Sequence, residues 1–347
     1  MKKQKQGKPV LSALLWILIL AGLFYLVFHR NYREILANLS AVGWKGLCVL
    51  VAAGLIYEML ESAANQMLLR VRVSGFTFRQ SAELTALNAF GRTSIFGMGA
   101  FALQGYYLNQ CGMLPGDSAG TVLISYNLHK VSVLACAAGL FLWQGTDLLQ
   151  ESPNLLQFVL LGFLICTAIV LALLLVCTWD KVRQLMRRLL DCLPRNEKWQ
   201  CRKEKLMMNV DAMYRAAYAL KRQSINVWAA FAFHSLKLLW MDFIPVLCLH
   251  MMGISTLTTG KVMGLAALCL VLAGACPNVA GIGPTELAFL MLYGPCVGQA
   301  QASSLLILFR CATYFFPFLI GAGVSRCALK RVKRENAGAD GTLTQQP

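Results

Sequence analysis

Residues 155–177 run for 23 positions without one charged side chain. About 20 apolar residues suffice to cross the hydrocarbon of a bilayer, and in lipid only helices and closed barrels satisfy every backbone polar group. This stretch therefore ties the chain to a membrane and sets what the remaining segments can become. Composition agrees: 57% of the 347 residues are apolar, 14% are charged and the mean hydropathy is +0.58. Soluble domains carry about 25% charged residues, so a cytosolic enzyme is excluded, and so is a disordered chain. Further apolar runs cover residues 11–28, 44–69, 118–143, 226–249 and 300–326. The first follows Lys2, Lys3, Lys5 and Lys8 and meets His29, Arg30 and Arg33 with no small-residue cleavage site between. It reads as an uncleaved span and not as a signal peptide.

The net charge of +16 arises from 32 Lys and Arg against 16 Asp and Glu. Spread over a soluble domain it would suggest nucleic acid; here the cations fall at the membrane edge, and no nucleic acid partner is expected. Residues 179–223 hold twelve basic residues and five acids. With the N-terminus, the link bearing Arg70, Arg72 and Arg79, and the tail around residues 330–334, this loop takes most of the cations. Basic loops stay cytoplasmic, so both termini are expected inside. The predicted organisation is all-α and polytopic: one transmembrane domain over residues 1–326, with halves at 9–178 and 224–326 about the basic loop 179–223. Residues 327–347 are expected to form a basic, disordered cytoplasmic tail.

Six full spans leave two apolar segments over, residues 88–112 and 276–298, both broken by glycine or proline. These are predicted as re-entrant helical hairpins, the first from the cytoplasmic face and the second from the outer face. Gly97-Met98-Gly99 precedes an apolar helix, a break at Gly112 and a helix carrying Lys130. Gly281-Ile282-Gly283 precedes an apolar helix, a break at Gly294-Pro295 and a helix carrying Arg310. That recurrence is the trace an inverted repeat would leave, an arrangement that builds sites at the bilayer midplane.

Ionisable residues inside apolar segments are costly and mark functional sites by default; about 2.5–3.5 kcal/mol each is the insertion cost. They are Glu58, Glu61, Arg92, Lys130, Lys237, Asp242, Glu286 and Arg310, with His129 and His234 beside them. The competing reading is mutual neutralisation or snorkelling to the interface. Two prolines and two glycines between Pro277 and Pro284 cannot stay in a regular helix, and freed backbone at membrane depth must line a cavity or be buried in protein. A helix restarting near Pro284 and Glu286 would offer its N-terminus to an anion; Glu286 would either cap that helix or receive an amine. The thirteen cysteines form no Cys-x-x-Cys pair and read as small reduced hydrophobes. No metal-ligand spacing joins the four histidines, and neither a metal nor a cofactor is expected. Gly253 to Gly260-Lys261 has the wrong spacing for a phosphate loop.

Residues 277–286, Pro-Asn-Val-Ala-Gly-Ile-Gly-Pro-Thr-Glu, resemble the Pro, Gly-Gly-x-Gly, Glu turn of the lysylphosphatidylglycerol synthetase transmembrane family. This is the flippase-like membrane domain of the bacterial multiple peptide resistance factor and its stand-alone relatives. The resemblance continues through Phe309-Arg310, Thr313-Tyr314, Pro317 and Gly321. Earlier, Asn88, Gly97, Gly99, Gly105 and Tyr106-Tyr107-Leu108 resemble the family's Asn, Gly-Gly, Tyr-x-Leu stretch. Ala280 stands where a second glycine is usual, and Pro284 replaces a common Val.

The resemblance implies a bacterial plasma-membrane protein that moves aminoacylated phosphatidylglycerol, or a related phospholipid, between leaflets, contributing to resistance against cationic antimicrobial peptides. Full-length relatives add a soluble domain that transfers lysine from lysyl-tRNA to phosphatidylglycerol; residues 327–347 are too few for such a domain, which needs about 50 or more. Expected partners are anionic or aminoacylated phospholipids, with a homo-oligomer or a separate synthase. A lysylated lipid carries a phosphate and two amines. Arg310 and Lys130, with Arg92, are predicted to hold the phosphate, and Glu286, with Glu58 or Glu61, to meet the amines. Pro277, Gly281, Gly283, Pro284, Gly97 and Gly99 are predicted to form the re-entrant breaks. Two alternatives stay open: a phosphatidylglycerol lysyltransferase, and a carrier of another polar solute or a polyprenyl-linked glycolipid.

Overall fold

Long apolar runs become long helices because hydrocarbon leaves the backbone no other partner than itself. The computed structural model describes residues 32–73, 75–94, 98–150, 153–179, scattered positions between 181 and 218, 224–276 and 283–343. Its helices are α1 (Tyr32–Leu69), α2 (Phe78–Ser94), α3 (Met98–Gln110), α4 (Pro115–Gln144), α5 (Leu155–Thr178), α6 (Ser224–Met251), α7 (Thr259–Ala275), α8 (Pro284–Val297), α9 (Gln299–Arg310) and α10 (Phe316–Leu343). A five-residue π-helical segment, Cys311–Phe315, joins the last two. Five stretches are long and apolar enough to cross a membrane: α1, α4, α5, α6 and the run Gln299–Arg331 through α9 and α10. The sixth predicted span, residues 11–28, lies outside the described residues. Leu160, Leu161, Leu164 and Leu171 of α5 are exposed, as apolar side chains facing lipid would be.

The predicted break segments also sit between helices, though their boundaries differ. The first is longer than residues 88–112: α2 begins at Phe78, where Thr77 N–H donates to Gln80 Oε1 (2.9 Å) and Gln80 N–H donates to Thr77 Oγ1 (3.3 Å). This capping box closes two of the N-terminal donors a helix leaves open. The second begins at α7, where Thr258 Oγ1 accepts from Lys261 N–H at 3.3 Å. α2 and α7 are 17 residues each, and α3 and α8 are 13 and 14. The predicted break at Gly294-Pro295 is displaced: α8 runs through both residues and ends at Gly298, φ 90°. Proline forgoes one hydrogen bond near the helix end, whereas Gly298 takes the left-handed backbone that stops a helix, as Gly112 does at φ 92°. In the segment expected as a tail, α10 continues to Leu343; Ala328, Lys330, Arg331, Lys333, Arg334 and Glu335 are residues that favour helix. Of the predicted break residues, Gly97, Pro277 and Gly281 lie outside the described residues.

The two halves pack by one scheme. α1 packs on α2 as α6 packs on α7; α2 on α3 as α7 on α8; α3 on α4 as α8 on α9. Across the halves, α2 meets α10 as α7 meets α4, and α1 meets α9 as α6 meets α4, while α1 and α6 meet each other. One end of the bundle gathers the C-terminus of α1 and the N-termini of α4 and α6. There Arg70 Nη2 donates to Asn226 Oδ1 (2.5 Å), Arg72 and Arg215 face Asp117 (3.6 Å each), and Arg331 Nη2 meets Glu83 (2.5 Å). The opposite end joins the N-termini of α1 and α9 through Asn38 to Ser304 (3.2 Å) and Gln301 to Glu34 (3.1 Å). The pair α2–α3 starts and finishes at the first end, and the pair α7–α8 at the second.

Close approach within the α2–α3 pair depends on Gly91: a Cβ there would lie 2.5 Å from Ala100 Cα and 2.7 Å from its nitrogen, both unyielding backbone. Gly91→Ala is expected to separate the pair and cost about 1–3 kcal/mol, the range for overpacking a filled interior. Thermal unfolding of the purified variant in detergent against the parent chain measures it.

Candidate functional site

Three cations from three helices line a cavity of about 210 Å³: Arg92 near the end of α2, Lys130 in α4 and Arg310 at the end of α9. Tyr57 of α1 and His129 of α4 add polar groups to its wall. The cavity lies where the two short helix pairs approach, since Gly274 beside the end of α7 and Thr285 in the first turn of α8 also line it. Gly274 leaves space for the Lys130 head; a Cβ there would stand 3.1 Å from Nζ. Lys130 Nζ sits 5.6 Å over the Tyr126 ring and Arg310 5.3 Å over the Tyr314 ring. Such cation–π contacts attract a charge to the ring face.

Arg310 is presented by the helix terminus before the π segment, a local widening often found at functional sites. That segment approaches α1 closely, because Gly54 packs on the Ala312 carbonyl oxygen with no room for a Cβ.

The predicted acids stand behind the cations. Arg310 Nη2 pairs with Glu286 Oε1 at 2.5 Å, and Glu286 Oε2 accepts from Gly283 N–H at 2.6 Å. Glu286 thus caps α8 and holds Arg310 toward the cavity. Gly283 supplies that cap from the left-handed region at φ 109°, with Pro284 as the first helical residue. Arg92 Nη2 faces Glu58 Oε1 at 3.8 Å. Glu61 is turned away from the cavity to Lys237 of α6. Of the predicted break residues, Gly99 lies against Gly91 at the start of α3. Arg310, Lys130 and Arg92 are therefore brought together, whereas Glu286, Glu58 and Glu61 are each engaged with a cation.

One buried cluster was not assembled by spacing along the chain. Lys237, 1% exposed, donates to Glu61 and lies 3.1 Å from His129 Nδ1 and 3.5 Å from His234 Nδ1. His234 sits one turn before Lys237 on α6, whereas Glu61 of α1 and His129 of α4 lie 176 and 108 residues away along the chain, so no spacing joined those two to it. Asp242, also 1% exposed, shows no hydrogen-bond partner at either carboxylate oxygen among the described residues.

A buried ion pair is neutralised only as long as both members remain. Lys237→Met and Glu61→Gln are each expected to destabilise the protein by about 3–5 kcal/mol, and the double variant by clearly less than their sum. Thermal unfolding of the three variants in detergent gives the comparison.

No curated protein matches the chain. Residues 13–321 of the 347 match the family described as Lysylphosphatidylglycerol synthase TM region, and the chain belongs to that family.

Proposed function

We propose that this protein carries the headgroup of an anionic or aminoacylated phospholipid, lysylphosphatidylglycerol among them, between the leaflets of a bacterial plasma membrane. The observation that carries the reading is the convergence of Arg92, Lys130 and Arg310 on one cavity beside the two interrupted segments. A phosphate is the ligand three convergent cations favour, and an unassisted charge at the bilayer centre costs about 3 to 10 kcal/mol or more. The polar cavity lowers that cost while the acyl chains stay in lipid. The α2–α3 and α7–α8 pairs act as re-entrant hairpins within an inverted repeat, one from each face, in a bundle of six spans including residues 11–28. The matched packing of the halves and the opposite ends at which the pairs open support this arrangement.

Arg70, Arg72, Arg215 and Arg331 gather at one end, which supports a cytoplasmic assignment for that end and for both termini. The phosphate falls to Arg92, Lys130 and Arg310. Glu286 and Glu58 orient those cations first and meet the amines of a lysylated headgroup when it enters. Resistance to cationic antimicrobial peptides would follow from placing such lipids in the outer leaflet, where their positive charge repels the peptides.

Reconstituted vesicles with fluorescent phospholipids of varied headgroup test this directly. Lys130→Met removes a cation that has no acid partner among the described residues, and transfer is expected to fall about 10- to 100-fold, the worth of one charge-assisted contact. Arg310→Ala and Glu286→Ala are expected to abolish transfer while the protein still unfolds cooperatively. Normal transfer in all three removes the site assignment. Lysyl transfer from charged tRNA to lipid by the purified chain would favour the synthase reading instead.

A further inference from the structure

The charges around the cavity do not cancel. Arg92 faces Glu58, Arg310 meets Glu286 and Lys237 meets Glu61. Lys130 has the Tyr126 ring at 5.6 Å and no acid among the described residues. Four cations thus stand against three carboxylates.

The other ionisable groups nearby leave that surplus in place. His129 Nδ1 and His234 Nδ1 lie 3.1 and 3.5 Å from the Lys237 ammonium, which has donors only, so each ring turns a lone pair to it and stays neutral. Asp242, 1% exposed on α6, does not line the cavity and shows no partner at either carboxylate oxygen among the described residues. A carboxyl so placed in a dry interior keeps its proton rather than a charge. Residues 95–97 and 277–282, next in the chain to α3 and α8, include no Asp, Glu, Lys, Arg or His.

Rotation of side chains cannot change the sum. If Glu58 or Glu286 turns from its arginine to an ammonium of the cargo, the arginine is left without its acid and the same surplus remains. A headgroup with one net negative charge brings the site to neutrality. A lysylated headgroup, with a phosphate and two ammonium groups, doubles the surplus, and a like charge costs more in a low-dielectric interior than at an exposed surface. Among the described residues no carboxylate lines the cavity, so the wall that a headgroup meets is positive as well.

We infer that the site selects its cargo by net charge, preferring a phosphodiester headgroup without amines, such as that of phosphatidylglycerol, with Lys130 setting the preference. The inference rests on the proposed phospholipid-carrier function and orders its candidate cargoes: monoanionic first, zwitterionic second, lysylated last.

The test uses the full chain in phosphatidylcholine vesicles without ion gradients. Trace phosphatidylglycerol, phosphatidylcholine or lysylphosphatidylglycerol is labelled on an acyl chain, and an impermeant quencher reads its transfer. Phosphatidylglycerol is expected to cross about 10- to 100-fold faster than phosphatidylcholine, the worth of one charge-assisted contact, and lysylphosphatidylglycerol slowest. Lys130→Gln is expected to bring phosphatidylglycerol and phosphatidylcholine near parity, and Lys130→Glu to place lysylphosphatidylglycerol first. Equal rates for the three lipids in the parent chain, or lysylphosphatidylglycerol fastest, overturn selection by charge and leave the carrier function intact. A preference for phosphatidylglycerol that survives either substitution overturns the role of Lys130. No protein-dependent transfer of any of the three overturns the carrier function and the inference with it. Release of trapped glycerophosphoglycerol, the same phosphodiester without acyl chains, in place of lipid transfer assigns the site to a water-soluble anion and overturns both.

Discussion

A charge in hydrocarbon has to meet an opposite charge, water or a ligand, and the interior of this bundle is arranged around that requirement. Lys237 meets Glu61 and two imidazoles, Arg310 meets Glu286, and Arg92 faces Glu58. Each of the pairs Lys237–Glu61, Arg310–Glu286 and Arg92–Glu58 crosses between helices, so the ion pairs fix how the helices stand relative to one another. Two groups depart from this among the described residues: Lys130, with an aromatic face at 5.6 Å and no acid, and Asp242, with no hydrogen-bond partner at its carboxylate. The result is a cavity wall whose exposed charge is positive and whose compensating acids are recessed.

The second constraint is the backbone. Helix ends leave donors and acceptors open, and several of those in the short pairs are furnished locally. Glu286 takes the Gly283 N–H at the start of α8, Thr77 and Thr258 cap α2 and α7, and Gly112 and Gly298 supply left-handed turns between helices. Because these devices recur in both halves, the halves resemble each other in helix lengths and packing. They do not resemble each other in chemistry, since the Glu58–Glu61 face of α1 and the His234–Lys237 face of α6 oppose each other as acid and base.

The long spans were legible because apolar length alone decides them, and the family was legible in the glycine and proline pattern around residues 277–286. The start of α2 was not read, although Thr77-x-x-Gln80 is a capping signature, because Arg70, Arg72 and Arg79 read as a basic link. The boundary at Gly298 was also missed: a Gly-Pro pair is a stronger sequence signal than a lone glycine, yet near a helix end the proline costs little. For the candidate site, residue type alone singled out the ionisable groups. Which acid meets which base depends on packing between helices more than a hundred residues apart, as with Glu61 and Lys237, and no local pattern encodes it.

The opposed openings of the two short helix pairs carry an electrical consequence. A 17-residue helix spans about 25 Å along its axis, and its partner of 13 or 14 residues less. Wherever water follows such a pair inward from each side, the resting voltage drops mainly across the narrow dry partition left between the two vestibules. An ion displaced by only a few ångströms there would sense much of the field that elsewhere spreads over the entire bilayer.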